Sequence, residues 1–564
     1  MGHESEEWRT FLSCLNGINL LLTLTQTLLI KITMKKLLLS IFTVTVSVGL
    51  STGQVRYLDE VYTDVTTTTD VQFGTNYDFL LGAPAPNFLL KTDVYSPTGD
   101  TETGRACVIV LHTGNFLPKY FNGSPSGNNK DSSIVVTSEM FAKRGYVAMA
   151  PAYRLGWNAT TQDPVEGADT RKGTLLIAVY RALNDVKALV RFCKKSVAED
   201  GNPYGIDPDK IIIYGHGSGG YVSLAYGSLD RIEELQDEVS GKWLSTVDVP
   251  STGFVQGGLY INPAVIGGVE GFGGIYNDTN HFGYTNDVAA CINVGGALGD
   301  SAWMEVGEPP IISFHCPNDG FAPFTQGLVI VPTTGEVVVD VVGSRWAIGA
   351  ANSTGNNDVL AASAPYNDPY TLAAEAALQS DHPNLGLTPS DYEGLFPFNR
   401  PTIAWPFQES SPWDWWDQAT VVSSASPLVG ATAAQAIHDN GVSGSPTMSA
   451  GLGKAYLDSI HGYLAPRMRS LLVGDVGVEE TDFVDANTFV YPNPANDFLV
   501  VKTREGIRIT DVEIYNMAGS LVRTENGLNK LSHQINGIDQ YTPGLYLIKV
   551  TTDQGLITRK AFVQ

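Results

Sequence analysis

The sequence predicts an α/β protein with a mostly parallel sheet and helices on both faces, followed by a small antiparallel β-sandwich at the C-terminus. The central region alternates near-continuous apolar runs with helical stretches. These runs are Cys107–His112, Val147–Pro151, Lys210–Tyr214, Ala290–Val294 and Pro310–Phe314. Apolar strands separated by helices are typical of a parallel sheet buried on both faces. From about Asn487 the runs become short and alternating, with Gly, Asn and Asp turns between them, which indicates an antiparallel sandwich.

Composition excludes several classes of protein. The chain has 564 residues, of which 43% are apolar, so it can bury a large core and is not globally disordered. Its 35 Lys and Arg against 59 Asp and Glu give a net charge of −24. This charge argues against nucleic acid and anionic membrane surfaces as partners. Five Cys without a C-x-x-C pair indicate neither a zinc nor a redox site, and a pairing of Cys291 with Cys316 is left open.

The N-terminal segment has the pattern of a secretory signal peptide at residues 34–53. Met34 is followed by two Lys and the apolar run Leu37–Leu50, with small residues before a cleavage point near Gly53. We interpret residues 1–33 as a gene-model extension. The alternative, a membrane anchor over Ile18–Ile32, is short for a span of about 20 residues. The mature chain is thus expected to lack a stable membrane span.

Each predicted strand is followed by glycines or by polar residues that could act in catalysis or ligand binding. A helix is predicted over Leu175–Ser196, and the strand at Lys210 leads into the Gly-rich turn Gly215–Gly220. Polar residues such as His, Asn, Ser and Asp follow the other strands. Because ligands of parallel sheets bind at the carboxyl ends of the strands, a site is expected at this edge.

The C-terminal segment, residues 487–564, resembles the C-terminal sorting domain of type IX secretion cargo in the Bacteroidota. The resemblance rests on Tyr491–Ala495, Ile514–Gly519, Gly544–Val550 and Lys560–Val563. It implies a secretion machinery as partner, passage through the outer membrane, and a location outside the cell or on its surface.

Residues 54–480 are expected to form the main domain, and roughly residues 90–330 of it resemble the carboxylesterase and lipase branch of the α/β-hydrolases. The shared motifs are Leu90–Pro97, Leu111–Gly114, Tyr153–Gly156, Asp185–Phe192 and Gly205–Lys210, which leads to the Gly-rich turn. The resemblance implies an α/β-hydrolase fold, a serine esterase without cofactor or metal, and a small or polymeric ester as substrate.

The nucleophile can be aligned in two ways. Hydrolases of this type place a Ser on a sharp strand-to-helix turn with small residues two positions before and after it. Without a gap, Gly217 takes that position, flanked by Gly215 and Gly219. In the other register Ser218 is the nucleophile. We take Ser218 as the candidate nucleophile and leave the register open.

The remaining catalytic candidates follow from the resemblance. Asp319 stands at the position of the acid, and backbone N–H groups at Thr113, Gly114 and Gly219 would form the oxyanion hole. His382 is the candidate base because it follows a predicted last strand near Val359–Ala362. By alignment the base would instead fall near Asn367, which cannot act as a general base. The other histidines considered, in predicted helices, are His438 and His461.

Residues 328–450 exceed what the sheet needs, and we interpret them as an insertion with the character of a lid. Trp413 and Trp416 in this segment are candidates for contact with the substrate. Three histidines near strand ends, His112, His216 and His315, lack metal-ligand spacing and are interpreted as structural. The sequence thus leaves two functions open: a secreted carboxylic-ester hydrolase, or a catalytically degenerate hydrolase fold that binds a ligand or partner at the cell surface.

Overall fold

The computed structural model describes most of the chain from residue 55 onward. The described ranges are 55–236, 240–331, 334–361, 366, 368–380, 389–400, 402–404, 407–473, 488–504, 506–516 and 520–564. The predicted signal peptide and the segment before it lie outside the described residues. No helix within these ranges is long and apolar enough to cross a membrane.

The strands before the C-terminal segment form one large sheet and two small ones. They are β1 Val65–Asp78, β2 Ala85–Pro97, β3 Arg105–Leu111, β4 Val147–Ala152, β5 Ile206–His216, β6 Ala290–Val294, β7 Ala297–Leu298, β8 Ile311–His315, β9 Gln326–Ile330, β10 Val337–Gly343, β11 Leu395–Pro397, β12 Thr402–Ala404 and β13 Phe407–Gln408. The large sheet has eight strands in the order β1-β2-β4-β3-β5-β6-β8-β11. β1 and β2 are antiparallel and the other six strands are parallel, so the predicted fold class is confirmed.

Helices cover both faces of the large sheet. They are α1 Ser132–Lys143, α2 Gly167–Ala198, α3 Ser218–Ser228, α4 Pro263–Ile266, α5 Ser344–Ser353, α6 Asp358–Ala361, α7 Pro369–Ser380, α8 Gln418–Val429, α9 Ala431–Gly444 and α10 Ala450–Val473. Short 3₁₀ helices occur at Ile232–Leu235, Ser301–Trp303, Pro389–Tyr392 and Ile538–Gln540.

Strand β3 shows how the sheet separates two hydrophobic cores. Its residues are all buried, and successive side chains point to opposite faces. Cys107, Ile109 and Leu111 pack with residues of α2 and α3. Val108 and Val110 belong to the other core, with residues of α1 and α10. This two-sided burial explains why the strand is a continuous apolar run in the sequence.

The predicted central strands are confirmed, but the predicted last strand is wrong. The apolar run near Val359 forms helix α6 instead, with Leu360 buried in the core that includes α10. A run of four apolar residues fits a strand or a helix equally well, so length could not decide. The last strand of the sheet is β11, parallel to β8, and it lies inside the predicted insertion of residues 328–450. The small sheets are β7-β10-β9 and β12-β13.

The C-terminal segment forms two antiparallel sheets around its own core, as predicted. Its strands are β14 Thr488–Tyr491, β15 Phe498–Thr503, β16 Ile509–Asn516, β17 Leu521–Glu525, β18 Ser532–Asn536, β19 Gly544–Thr552 and β20 Gly555–Val563. The strand orders are β14-β15-β18 and β17-β16-β19-β20. Alternate residues such as Val512, Ile514, Ile548 and Val550 fill the core.

Cys291 and Cys316, whose pairing the sequence left open, are both free and buried.

Candidate functional site

A cavity of about 640 Å³ lies where strands β3, β5 and β8 end. Its wall includes residues from the loops that follow these strands, namely Thr113, Gly217 and Asp319. The position agrees with the general rule that parallel sheets bind ligands at the carboxyl ends of their strands. The rest of the wall is mostly aliphatic and aromatic.

Helix α2 supplies one side of the cavity. The contributing side chains are Leu175, Leu176, Val179, Tyr180 and Leu183, which recur at the spacing of a single helical face. Val329 of β9 and Val341 of β10 also line the cavity. Trp157, Trp243, Trp303 and Trp416 also line the cavity. Such a wall suits an apolar ligand, because most contacts available to it are with hydrocarbon and aromatic surface.

The sharp turn between β5 and α3 is centred on Gly217. Its backbone has φ +52° and ψ −113°, a conformation that residues other than glycine rarely adopt. Gly215 lies so close to the start of α3 that a Cβ atom on it would be 2.7 Å from the Gly220 nitrogen. Gly215 and Gly219 are thus the close-packed small residues two positions before and after the turn. The geometry is that of the ungapped register, with Gly217 at the elbow.

Thr113 fills the space above the elbow. A Cβ atom on Gly217 would clash with the Thr113 hydroxyl and lie 3.0 Å from the Thr113 Cβ. The residue that replaces a glycine of the family's oxyanion loop therefore occupies the volume where a nucleophilic side chain would begin.

Ser218 is the first residue of α3 and lies in the cavity wall with only 6% of its surface exposed. Its Oγ is 3.3 Å from the hydroxyl oxygen of Tyr153. The Tyr153 hydroxyl donates to the His112 carbonyl oxygen at 2.6 Å. Since a phenol has one proton, the Ser218 hydroxyl is the donor to Tyr153. Burial raises the pKa of Tyr153, so this hydroxyl stays neutral.

A buried ion pair fixes the loop that carries Tyr153. Arg154 and Asp185 are almost fully buried, and their side chains are 2.8 Å apart. The Asp185 carboxylate also accepts the Arg154 backbone N–H at 2.9 Å. The Arg154 guanidinium donates to the carbonyl oxygen of Tyr77 as well. Arg154 and Asp185 belong to two of the motifs quoted for the hydrolase resemblance, and here they join α2 to the end of β4.

Asp319 lies in the turn after β8, and its side chain is 3% exposed. Its carboxyl accepts the Phe321 N–H at 2.6 Å and the Ala322 N–H at 3.2 Å. Burial raises the pKa of Asp319 to about 7, an effect that these bonds and one from Ser410 only partly offset. Part of the Asp319 population is therefore protonated near neutral pH.

His315 is the histidine close to Asp319, with 3.6 Å between its Nε2 and a carboxyl oxygen. The Nε2 lies closer, 3.1 Å, to the Ala322 carbonyl oxygen, and the Nδ1 lies 2.7 Å from the Ser344 hydroxyl. Burial lowers the pKa of His315 to about 4, so the ring is neutral at pH 7. Both ring nitrogens are occupied within the core, and His315 is absent from the cavity wall.

Asp414 is a second buried carboxyl in the cavity wall, and the sequence analysis missed it. It accepts the Ser133 hydroxyl proton at 2.5 Å. Burial raises its pKa to about 7, with a further contribution from the charge of Asp131. The available signal is its place in the sequence between two tryptophans, Trp413 and Trp415.

The structure brings part of the predicted site together. Thr113, Gly114, Ser218, Asp319 and Trp416 all line the cavity. Gly219 is the second residue of α3, whose first backbone N–H groups lack helical acceptors.

Other predicted residues lie elsewhere. Trp413 is buried in the core, 5.8 Å from the His216 ring, and does not line the cavity. His382 and Asn367 lie outside the described residues. His438 accepts a hydrogen bond from the Trp416 ring at 3.2 Å. His461 is buried in α10 against Phe141.

The two other strand-end histidines are also buried. His112 stacks on the Tyr153 ring at 4.2 Å, and its Nδ1 lies 2.5 Å from the Thr113 carbonyl oxygen. The His216 Nε2 is hydrogen-bonded to the Tyr214 hydroxyl, and burial lowers the pKa of His216 to about 3. In the described part of the chain, no three His, Cys, Asp or Glu residues are grouped to hold a metal ion.

Comparisons with known proteins agree with the C-terminal prediction. Residues 489–564 match the family described as the secretion system C-terminal sorting domain. A comparison with curated proteins finds no match. Similar solved structures include esterase 2 of Thermogutta terrifontis phosphorylated by paraoxon, at 18% identity and a TM-score of 0.28 over 54% of this chain and 83% of that one. Its propionate-bound form gives 18% identity and a TM-score of 0.26 over 48% and 76%.

The strand order and the elbow define the class of the main domain, an α/β-hydrolase fold. Residues 489–564 are a type IX secretion sorting domain, which acts with a secretion machinery. The chain is an exported protein with a hydrolase-like main domain.

Proposed function

We propose that the hydrolase-like domain binds an apolar ligand outside the cell or on its surface, without forming an acyl-enzyme at the elbow. The observation that carries this proposal is Gly217 at the elbow, with φ +52° and the Thr113 hydroxyl above it. An acyl-enzyme needs a hydroxyl or thiol at the attacking position. Glycine offers neither, and the rest of the turn keeps its hydrolase shape.

The cavity supports binding as the remaining function. Its volume of about 640 Å³ lies within the range of small-molecule sites, which is about 300–1,000 Å³. Each buried CH₂ group of a ligand contributes about 0.8 kcal/mol. A chain of roughly ten carbons would therefore gain enough to offset the loss of its translational freedom, even without a covalent step.

The hydrogen bonds around Ser218 also favour binding over catalysis. Its proton is directed to Tyr153, whose own proton is held by a backbone carbonyl. Asp319, the candidate acid, is partly protonated near pH 7. A protonated acid cannot stabilise an imidazolium as the catalytic triad requires.

Ester hydrolysis by Ser218 is the second candidate function. It is supported by the position of Ser218 in the cavity wall, next to the Thr113 and Gly114 loop that would supply the oxyanion donors. In this version Ser218 attacks the ester carbonyl, His382 takes the proton, and Asp319 orients His382. The backbone N–H of Gly219 would complete the oxyanion hole.

A binding experiment tests the first proposal. The uncharged, apolar fluorescent probe 1,6-diphenylhexatriene should bind to the purified full chain at one site per molecule. Leu176→Trp adds bulk inside the cavity, where Leu176 is buried, and should abolish binding. The matched control Leu372→Trp lies on the surface with 53% exposure and should leave binding unchanged. Equal binding by both variants would place the probe elsewhere and refute the proposal.

A labelling experiment separates the two candidates. A fluorophosphonate probe and a short p-nitrophenyl ester should give the same result with the native chain and with Ser218→Ala if binding is the function. Covalent label on Ser218, together with ester turnover that Ser218→Ala removes, would establish the esterase instead.

A further inference from the structure

We propose that the ligand of this cavity is a single-chain amphiphile whose hydrocarbon chain lies along α3, and that Trp303 sets the longest chain that fits. This inference rests on the proposed function and specifies the class of its ligand. It is drawn from residues of α3, and of the segments beside α3, that belong to the cavity wall.

One face of α3 gives the length of the cavity. Ser218, Tyr221, Ala225 and Leu229, which directly follows the helix, all line the cavity. They recur at three- and four-residue spacing and therefore lie on one side of the helix. At about 1.5 Å of rise per residue, the first and the last are about 16 Å apart along the axis. An extended chain of single bonds advances roughly 1.2 Å per bond, so about a dozen carbons cover this distance.

The two helices that flank the cavity limit its width. Helices α2 and α3 each contribute one face to the wall, and they also contact each other. The Lys187 ammonium of α2 lies 5.9 Å from the centre of the Tyr226 ring of α3. Within the wall, the small side chain of Ala225 leaves room beside α3 between Ser218 and Leu229. A long space between neighbouring helices suits a chain better than a compact ring system.

The cavity has a polar, open end and an apolar, closed end. At the polar end, near the elbow, Thr113 and Ser218 carry hydroxyl groups, and Phe321 of the loop after β8 is 54% exposed. At the other end, Leu229 and Leu235 are only 3% and 1% exposed. A ligand that enters with its chain first would therefore leave its polar group near the elbow.

Trp303 closes the apolar end. Its indole N–H donates to the Glu234 carbonyl oxygen at 3.1 Å, which places the ring beside the segment that follows α3. The ring stacks on Trp243 with 5.3 Å between the ring centres. Gly299 packs against the same ring, since a Cβ atom on Gly299 would lie 2.7 Å from it. Held by these contacts, Trp303 forms a fixed end wall.

A fixed end wall gives a characteristic dependence of affinity on chain length. Each CH₂ group that is buried in the cavity should raise the affinity about fourfold. Once the chain reaches Trp303, further CH₂ groups remain in water and add nothing. The affinity should therefore level off near a dozen carbons, the number that covers the α3 face.

The test is displacement of 1,6-diphenylhexatriene from the full chain by uncharged alcohols, each below its solubility limit. The straight series runs from hexanol through octanol, decanol and dodecanol to tetradecanol. Affinity should rise along the series and level off at dodecanol. Adamantanol, a compact cage with the same number of carbons as decanol, should bind about tenfold more weakly, because it contacts only part of a long wall.

Two substitutions should move the limit in opposite directions. Trp303→Leu shortens the end wall, so affinity should still rise from dodecanol to tetradecanol. Ala225→Leu adds bulk along α3, so affinity should level off at decanol or earlier. A loss of stability cannot produce both shifts, and Ala225→Leu carries the test if Trp303→Leu fails to fold. The matched controls are Trp346→Leu, partly buried outside the described wall, and Ala419→Leu, exposed on α8.

The outcomes separate the two proposals. If neither the probe nor any alcohol binds, the proposed function itself is refuted. If the alcohols bind but adamantanol equals decanol, or affinity rises through tetradecanol in the native chain, the chain along α3 is refuted and the apolar cavity stands. If Trp303→Leu folds and keeps the native limit, Trp303 does not close the cavity and that assignment fails.

Discussion

The hydroxyl of Thr113 occupies the space that a Cβ atom on Gly217 would need. The two residues belong to loops after different strands, β3 and β5, and together they close the position from which a hydrolase nucleophile attacks. Gly217 has no side chain, and the Thr113 side chain occupies the space that a side chain at residue 217 would need. A serine introduced at residue 217 alone would therefore meet a steric obstacle.

The first prediction concerns this contact. Gly217→Ala should destabilise the protein by about 1–3 kcal/mol or more, because the residue keeps a positive φ and its new methyl group collides with Thr113. The double variant Gly217→Ala with Thr113→Ala loses the clash with the hydroxyl but keeps the backbone strain and the 3.0 Å approach of the two Cβ atoms. Urea unfolding should rank the native chain first, the double variant second and the single variant last. Equal stability of the two variants would contradict the contact.

The second prediction concerns the Arg154–Asp185 pair. Asp185→Ala leaves a buried guanidinium without its partner, so the free energy of unfolding should fall by about 3–5 kcal/mol. The double variant Arg154→Met with Asp185→Leu should recover part of that loss, because it leaves no buried charge. As a control, Asp200→Asn removes an exposed partner of Lys195 and should change stability by no more than about 0.5 kcal/mol. A small effect of Asp185→Ala in denaturant unfolding would show that the pair is dispensable.

The third prediction concerns pH and stability. Burial raises the pKa of Asp319 and of Asp414 from 3.8 to about 7 in the folded protein. A raised folded-state pKa gives stability that is complete below the unfolded pKa near 4 and is lost as pH rises through about 7. Each pK unit corresponds to about 1.4 kcal/mol, so each residue should cost the empty protein a few kcal/mol by pH 8.

The measurement for this prediction is the unfolding free energy of each variant minus that of the native chain at pH 5 and pH 8. Asp319→Asn and Asp414→Asn should gain stability relative to the native chain between the two pH values. Asp287→Asn, on the surface, should show no such change. A parallel pH dependence for all four proteins would mean that the two buried carboxyls ionise normally.

The fourth prediction concerns residues 489–564. Because this segment is a secretion sorting domain with its own core, its deletion should leave the hydrolase-like domain folded but block its release through the outer membrane. Fractionation of a host with a type IX machinery should find the truncated chain in the periplasm and the full chain outside. Release of the truncated chain at the normal level would contradict an export role for this segment.

The sequence predicted the parts of the fold that local patterns determine. Strands β3 and β6 are wholly buried, and their continuous apolar runs were read correctly. The run at Val359 forms a helix and not the predicted strand, because a short apolar segment is compatible with either. The flanking glycines were visible in the sequence, yet only the backbone angle at Gly217 distinguishes which residue forms the elbow.

The polar end of the cavity was harder to predict for a different reason. Asp414 reaches Ser133 and the cavity because the chain returns after β11 to the sheet edge where β8 ends and the Asp319 loop begins. No local sequence pattern predicts that these two segments lie close together in the fold. The raised pKa of each carboxyl is likewise a property of its burial, not of its neighbours along the chain.

Helix α2 has a consequence for how the natural ligand could be found. Its residue Leu183 belongs to the hydrophobic core and also lines the cavity. A ligand in the cavity would therefore contact a helix that contributes to the stability of the domain. A ligand that binds only the folded state raises the melting temperature in proportion to the logarithm of its concentration. The chain isolated from its native source should therefore melt higher than the same chain made in a foreign host, and the difference should vanish when bound small molecules are removed.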